Sequence, residues 1–108
     1  MISLVIESEN VQSGVPNTAY IEVFNQNEVE TWVTLVSAGQ SEAVVISPDL
    51  TGFRFRLSGG SQVLFQVTAT VTGEVDDQIT FEVSALEDGV GSPVTDTEFG
   101  DGIFYVVA

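Results

Sequence analysis

Apolar residues in this chain recur at every second position, in short runs cut by Gly, Pro, Asn, Asp and Ser. An extended strand with one buried face gives that period, and a helix does not. From Ser61 to Val71 the apolar set is Val63, Phe65, Val67, Ala69 and Val71, set against Gln66, Thr68 and Thr70, with Leu64 the one large apolar residue on the polar side. The next run repeats it, with Ile79, Phe81, Val83 and Ala85 inward and Gln78, Thr80, Glu82 and Ser84 outward. Between them, Thr72–Asp77 carries the chemistry of a hairpin-like turn.

The remaining runs follow. Ile2, Leu4 and Ile6 mark a first strand, and Asn10–Asn17 reads as a loop. Thr18–Asn25 is a strand with Ala19, Ile21 and Val23 on one face. In Glu30–Ala38 the inward face is open, since Trp32 and Val36 compete with Val33 and Leu35. Ala43–Ser47 stops at Pro48, and Phe53, Phe55 and Leu57 alternate with Arg54 and Arg56. Ile103–Val107 closes the chain after an acidic loop. The pattern predicts an all-β fold, an immunoglobulin-like antiparallel β-sandwich of seven or eight strands, as one domain over 1–108. A closed barrel shares that strand count.

The run Gly14–Asn25, the Ser47-Pro48 break, and Leu57-Ser58-Gly59-Gly60-Ser61 leading into Val63–Val71 resemble the immunoglobulin-like modules of prokaryotic surface and S-layer proteins, the group with CARDB-type and NEW3-type domains. The resemblance runs to about Ala85 and rests on strand-and-turn pattern. It departs from antibody domains in lacking the inter-sheet cysteine pair. It implies a spacer, adhesion or assembly role and carries no catalytic residues.

Composition then narrows the function. Sixteen acidic residues face two basic ones, Arg54 and Arg56, for a net charge of −14 with no lysine. A merely solvated surface explains the carboxylates but not the missing lysines, and the acids are spread rather than clustered against a basic partner. Adaptation to high salt accounts for both, because near 1 M salt the screening length falls to about 3 Å and carboxylates scarcely repel. Apolar residues make up 44% of the chain, which excludes a disordered acidic tail. No apolar run approaches the ~20 residues of a membrane-spanning helix, so no membrane insertion is expected. Nucleic acid is excluded as a partner by the lack of cations for phosphate.

Catalysis finds few tools. The chain has no His, no Cys and no Lys, so its serines and threonines have no base to activate them. Asp96, Glu98 and Asp101 in one stretch are oxygen donors of the kind calcium takes, although their spacing does not follow the EF-hand loop and a solvated acidic stretch explains them as well. No other cofactor is expected. Stacking on sugars would draw on Trp32, Tyr20, Phe24 or Tyr105, which core or edge packing would also employ.

Contacts with other proteins have more candidates. Val5, Val45, Leu64, Phe104 and Val106 fall on faces read as outward, and several apolar residues on outer faces mark a contact surface. Arg54 and Arg56 share one strand face. They either pair with neighbouring carboxylates or anchor an acidic partner. The sequence therefore points to a non-enzymatic structural protein that packs into a larger assembly, as a homo-oligomer or against capsid or tail proteins. Met1 without a signal sequence favours a virion accessory protein (capsid decoration, turret or tail component) of a halophilic archaeal virus. The alternative is an extracellular adhesion, spacer or carbohydrate-binding domain of a surface-layer protein.

Overall fold

The computed structural model describes the backbone of residues 1–38, 42–89 and 95–108 and the side chains of 1–36, 42–88 and 99–108. Among these residues nine strands form: β1 (Ile2–Ile6), β2 (Glu9–Gln12), β3 (Pro16–Asn25), β4 (Thr31–Ala38), β5 (Val44–Ser47), β6 (Arg54–Leu57), β7 (Gln62–Val71), β8 (Gln78–Gly89) and β9 (Thr95–Val107). They build two sheets, a four-stranded one in the order β1-β3-β7-β5 and a five-stranded one in the order β2-β9-β8-β4-β6. The sheets stack as a sandwich, not a closed barrel. Each connection from β1 to β8 crosses from one sheet to the other, and β8 and β9 alone are both successive in the chain and paired.

That order corrects several expectations. Thr72–Asp77 is not a hairpin turn, because it carries the chain from β7 in one sheet to β8 in the other. The Asn10–Asn17 loop contains part of β2, whose Val11 is fully buried opposite Val106. β2 runs parallel to β9, so the sandwich is mixed and not wholly antiparallel. The acidic stretch before Ile103 is the first part of β9, which begins at Thr95.

The core follows the alternation. Ile21, Val23, Val33, Leu35, Val44, Ala69, Val71, Phe81 and Phe104 lose all exposure, each worth about 1.5–3 kcal/mol for the larger side chains. Phe81 and Phe104 meet edge to face at 5.2 Å. Phe104 and Val106 are therefore core residues and not contact residues. Ile103–Val107 is apolar on both faces, so its own pattern does not decide which face turns inward. The register decides it: Phe104 lies opposite Ile79, and Gly102 opposite Phe81. Residues directly opposite in an antiparallel pair share a face.

β4 resolves likewise. Val33 and Leu35 are buried and Trp32 turns outward, with an irregularity between Leu35 and Ser37 where Val36 is exposed. One end of the sandwich is closed by polar bonds. Asn25, 2% exposed, donates from Nδ2 to the carbonyls of Val29 at 3.0 Å and Leu57 at 2.8 Å, and its Oδ1 accepts the Asn27 amide at 2.9 Å. A buried amide left unbonded costs about 1–3 kcal/mol, so these bonds let a polar residue end an apolar strand.

Candidate functional site

Two surfaces stand out, on opposite faces of the sandwich. The first is the outer face of the four-stranded sheet. It presents Ser3 and Val5 from β1; Pro16, Thr18, Tyr20, Glu22 and Phe24 from β3; Gln62, Leu64, Gln66, Thr68 and Thr70 from β7; and Val45 and Ser47 from β5. Glu22 is the one charged residue among them. The pairings set Val5, Glu22 and Leu64 in one row across three strands, with Ser3, Phe24 and Gln62 in the next. Leu64 is 53% exposed, Val45 54% and Val5 45%, while Tyr20 and Phe24 are half-buried. Val5 and Leu64, two of the residues expected to contact partners, are thus brought together in one row. In a chain of net charge −14, a sheet face with one carboxylate is the exception.

The second surface lies on the outer face of the five-stranded sheet. The pairings place Arg56 opposite Trp32, and Trp32 opposite Asp88. The Arg54 guanidinium carbon lies 3.8 Å from the centre of a Trp32 ring, and that of Arg56 at 5.3 Å. Both basic side chains of the chain thus gather on its one tryptophan. Each such contact is worth about 0.5–1 kcal/mol at an exposed site. Arg56 also reaches Glu30, Nη1 to Oε1 at 3.5 Å, an exposed pair worth about 0–1 kcal/mol. The expected pairing of the arginines with carboxylates holds for Arg56; their main contact is the indole, which sequence reading missed. The signal was present in part: once Val33 and Leu35 face inward, Trp32 must share the arginines' side of the sheet.

This arrangement bears on sugar binding. Arg54 covers Trp32, Tyr20 and Phe24 belong to the opposite sheet, and β8 separates Trp32 from Tyr105. The four aromatics form no common platform. Beside the arginines a second aromatic group lies under β6. Phe53 stacks on Phe55 at 5.6 Å, and Phe65 meets both edge-on, at 5.8 and 5.3 Å. Phe53 remains 45% exposed.

The calcium candidates are only partly placed. The side chains of Asp96 and Glu98 lie outside the described residues, and Asp101 is exposed on β9 opposite Glu82. Among the described residues no three acidic side chains converge on one position. Two carboxyls depart from their ordinary range. Burial, with Glu7 nearby, pushes Glu9 up. For Glu87 burial acts upward but is outweighed by bonds from the Asn27 side chain and the Ile2 amide and by the Met1 ammonium, so its pKa falls. Asn27 donates to Glu87 at 2.8 Å and Ile2 at 3.1 Å, with the ammonium at 3.5 Å. These bonds tie β1 to β8 and are structural.

Solved structures share this architecture. PapD-like domain 7 of human CEP192 superposes with a TM-score of 0.60 at 15% identity, over 100% of this chain and 85% of that one. SSP-19, an MSP-domain protein of Caenorhabditis elegans, gives 0.58 at 7% identity over 93% and 94%. The SafB chaperone of Salmonella enterica, solved in complex with the SafA pilin, gives 0.55 at 17% over 100% of this chain and 55% of that chain. The chain has the immunoglobulin-like fold of PapD and MSP domains. At these identities the likeness is one of fold, and the chain spans little more than half of the chaperone. No protein-family model matches the sequence, and no curated protein does. The resemblance to CARDB- and NEW3-type modules thus rests on strand-and-turn pattern alone.

Proposed function

We propose that this domain is a non-catalytic packing module that associates through the outer face of its four-stranded sheet, with a second copy of the chain as the occupant. The observation that carries the reading is the single charge on that face. Two chains of net charge −14 repel in most orientations. Face-to-face contact through Val5, Leu64 and Val45 places the fewest carboxylates in the interface, and a two-fold arrangement makes the patch its own complement. At high salt the remaining repulsion is screened.

The lack of His, Cys and Lys supports a role without catalysis. Among proteins of the same fold, the SafB chaperone is solved in complex with a pilin, so the scaffold accommodates protein partners. The setting we propose is a virion accessory role in a halophilic archaeal virus, with a surface-layer spacer as the alternative; the acidity supports the high-salt part common to both. Sedimentation velocity in about 0.2 M and about 3 M KCl tests the packing reading. Association that grows with salt and is abolished by Leu64→Glu supports it. A monomer under both conditions, or an oligomer indifferent to Leu64→Glu, refutes it.

A further inference from the structure

The edges of the two sheets are not equivalent. β1 lies close against β9, where Gly100 and Gly102 leave no room for a side chain beside Leu4 and Ile6. β2 is held along β9. β5 is four residues long, between the exposed Glu42 and the Pro48-Asp49 pair. β6 is likewise four residues long and paired on one side only, with β4, where the Leu35 amide donates to the Phe53 carbonyl at 2.8 Å. It differs in presenting the chain's two arginines on one face and Phe55 and Leu57 on the other. By the alternation of an antiparallel ladder, the Phe53 carbonyl and the main-chain groups of Phe55 and Leu57 are directed toward β4, and Arg54 and Arg56 direct theirs away from it. Along that free edge the solvent side carries two guanidiniums held against Trp32, and the inner side carries the half-covered group of Phe53, Phe55 and Phe65.

We propose that β6 is a strand-addition site for an extended protein segment in which acidic and apolar residues alternate. A strand laid on this edge would bond the main chain of Arg54 and Arg56. Its alternate side chains would then fall beside the arginines outside and beside Phe53 and Phe55 inside. Cross-strand neighbours favour opposite charge on the first row and apolar or aromatic partners on the second. A second copy of β6 is the wrong occupant, because pairing the two edges would set arginine against arginine. This surface is separate from the sheet face proposed above, and Leu64→Glu does not touch it.

The probes are a heptapeptide of alternating Val and Glu, its Val and Lys counterpart, and the Val-Glu peptide N-methylated at alternate amides. Each is titrated into the 15N-labelled domain at low salt. The expected result is amide shifts centred on Arg54 and Arg56, with the Val-Glu peptide binding about tenfold or more tightly than Val-Lys. N-methylation on the bonding edge abolishes binding. The preference is diagnostic because the net charge of −14 would draw the Val-Lys peptide non-specifically. Arg54→Glu with Arg56→Glu reverses the preference, and Arg54→Gln with Arg56→Gln removes it while the spectrum stays folded. Equal binding of the two peptides, shifts centred on another edge, or no shift at millimolar peptide overturns the proposal.

Discussion

At Gly100, β9 passes the edge strand β1 so closely that an added Cβ would lie 2.7 Å from both the Cβ and the carbonyl oxygen of Leu4. Neither atom is the end of a flexible side chain, so Gly100→Ala must push β1 away from β9. Overpacking of this kind costs about 1–3 kcal/mol, partly offset by about 0.4–1 kcal/mol because alanine restricts the unfolded chain. The net is a loss of about 1–2 kcal/mol. At about 4–8 °C per kcal/mol for a domain near this size, Tm falls by about 5–15 °C. Circular dichroism melts in about 3 M KCl read the shift, and amide exchange locates it, with protection lost at Leu4 and Ile6. Gly14→Ala is the comparison. It has a φ of +77° and nothing within 4 Å, so it strains a turn and leaves β1 protected. A Gly100→Ala melt within about 2 °C of the parent, or unchanged protection in β1, would refute the reasoning.

Other outcomes follow from the same geometry. Glu87 has a lowered folded pKa, so its contribution is complete above its ordinary value of 4.5 and is lost as pH falls through the lower folded value. Glu87→Gln should cost about 1–3 kcal/mol at pH 6, with the gap from the parent narrowing in urea melts as the pH falls below 4.5; a pH-independent gap contradicts the assignment. Glu82 and Asp101 lie directly opposite each other on β8 and β9, so Asp101→Lys should stabilise by about 0.2–1 kcal/mol at low salt and by less at high salt. For the whole chain, a series of melts in rising KCl should show Tm climbing as repulsion is screened, and a flat or falling series removes the high-salt reading.

The fold was legible wherever one face of a strand was apolar and the other polar. In β3, β7 and β8 the alternation placed Ile21, Val67 and Phe81 correctly because Glu22, Gln66 and Glu82 marked the opposite side. It failed in β9, where Phe104 and Val106 alternate with Ile103 and Tyr105 and both faces are apolar. There the inward face is set by pairing with β8, a contact made between strands. It also missed β2, whose four residues carry one apolar side chain facing the core, Val11. The crossings between sheets left no local mark, since a turn such as Thr72–Asp77 has the same composition whether it makes a hairpin or changes sheet. Of the candidate contact residues, Val5, Leu64, Arg54 and Arg56 lie on outer faces, as their strand positions require. Their division between two separate surfaces came from sheet order, and the stacking on Trp32 from the inward turn of Val33 and Leu35.

The packing reading itself is most directly tested by a single thiol. The chain has no cysteine, so Leu64→Cys places one thiol on the charge-poor face, in the row with Val5 and Glu22, and Thr80→Cys places one on the opposite sheet. Treated with a short bis-maleimide in about 3 M KCl, the Leu64→Cys protein should form a covalent dimer, and the Thr80→Cys protein should remain monomeric. Dimer from Thr80→Cys and none from Leu64→Cys would contradict the account.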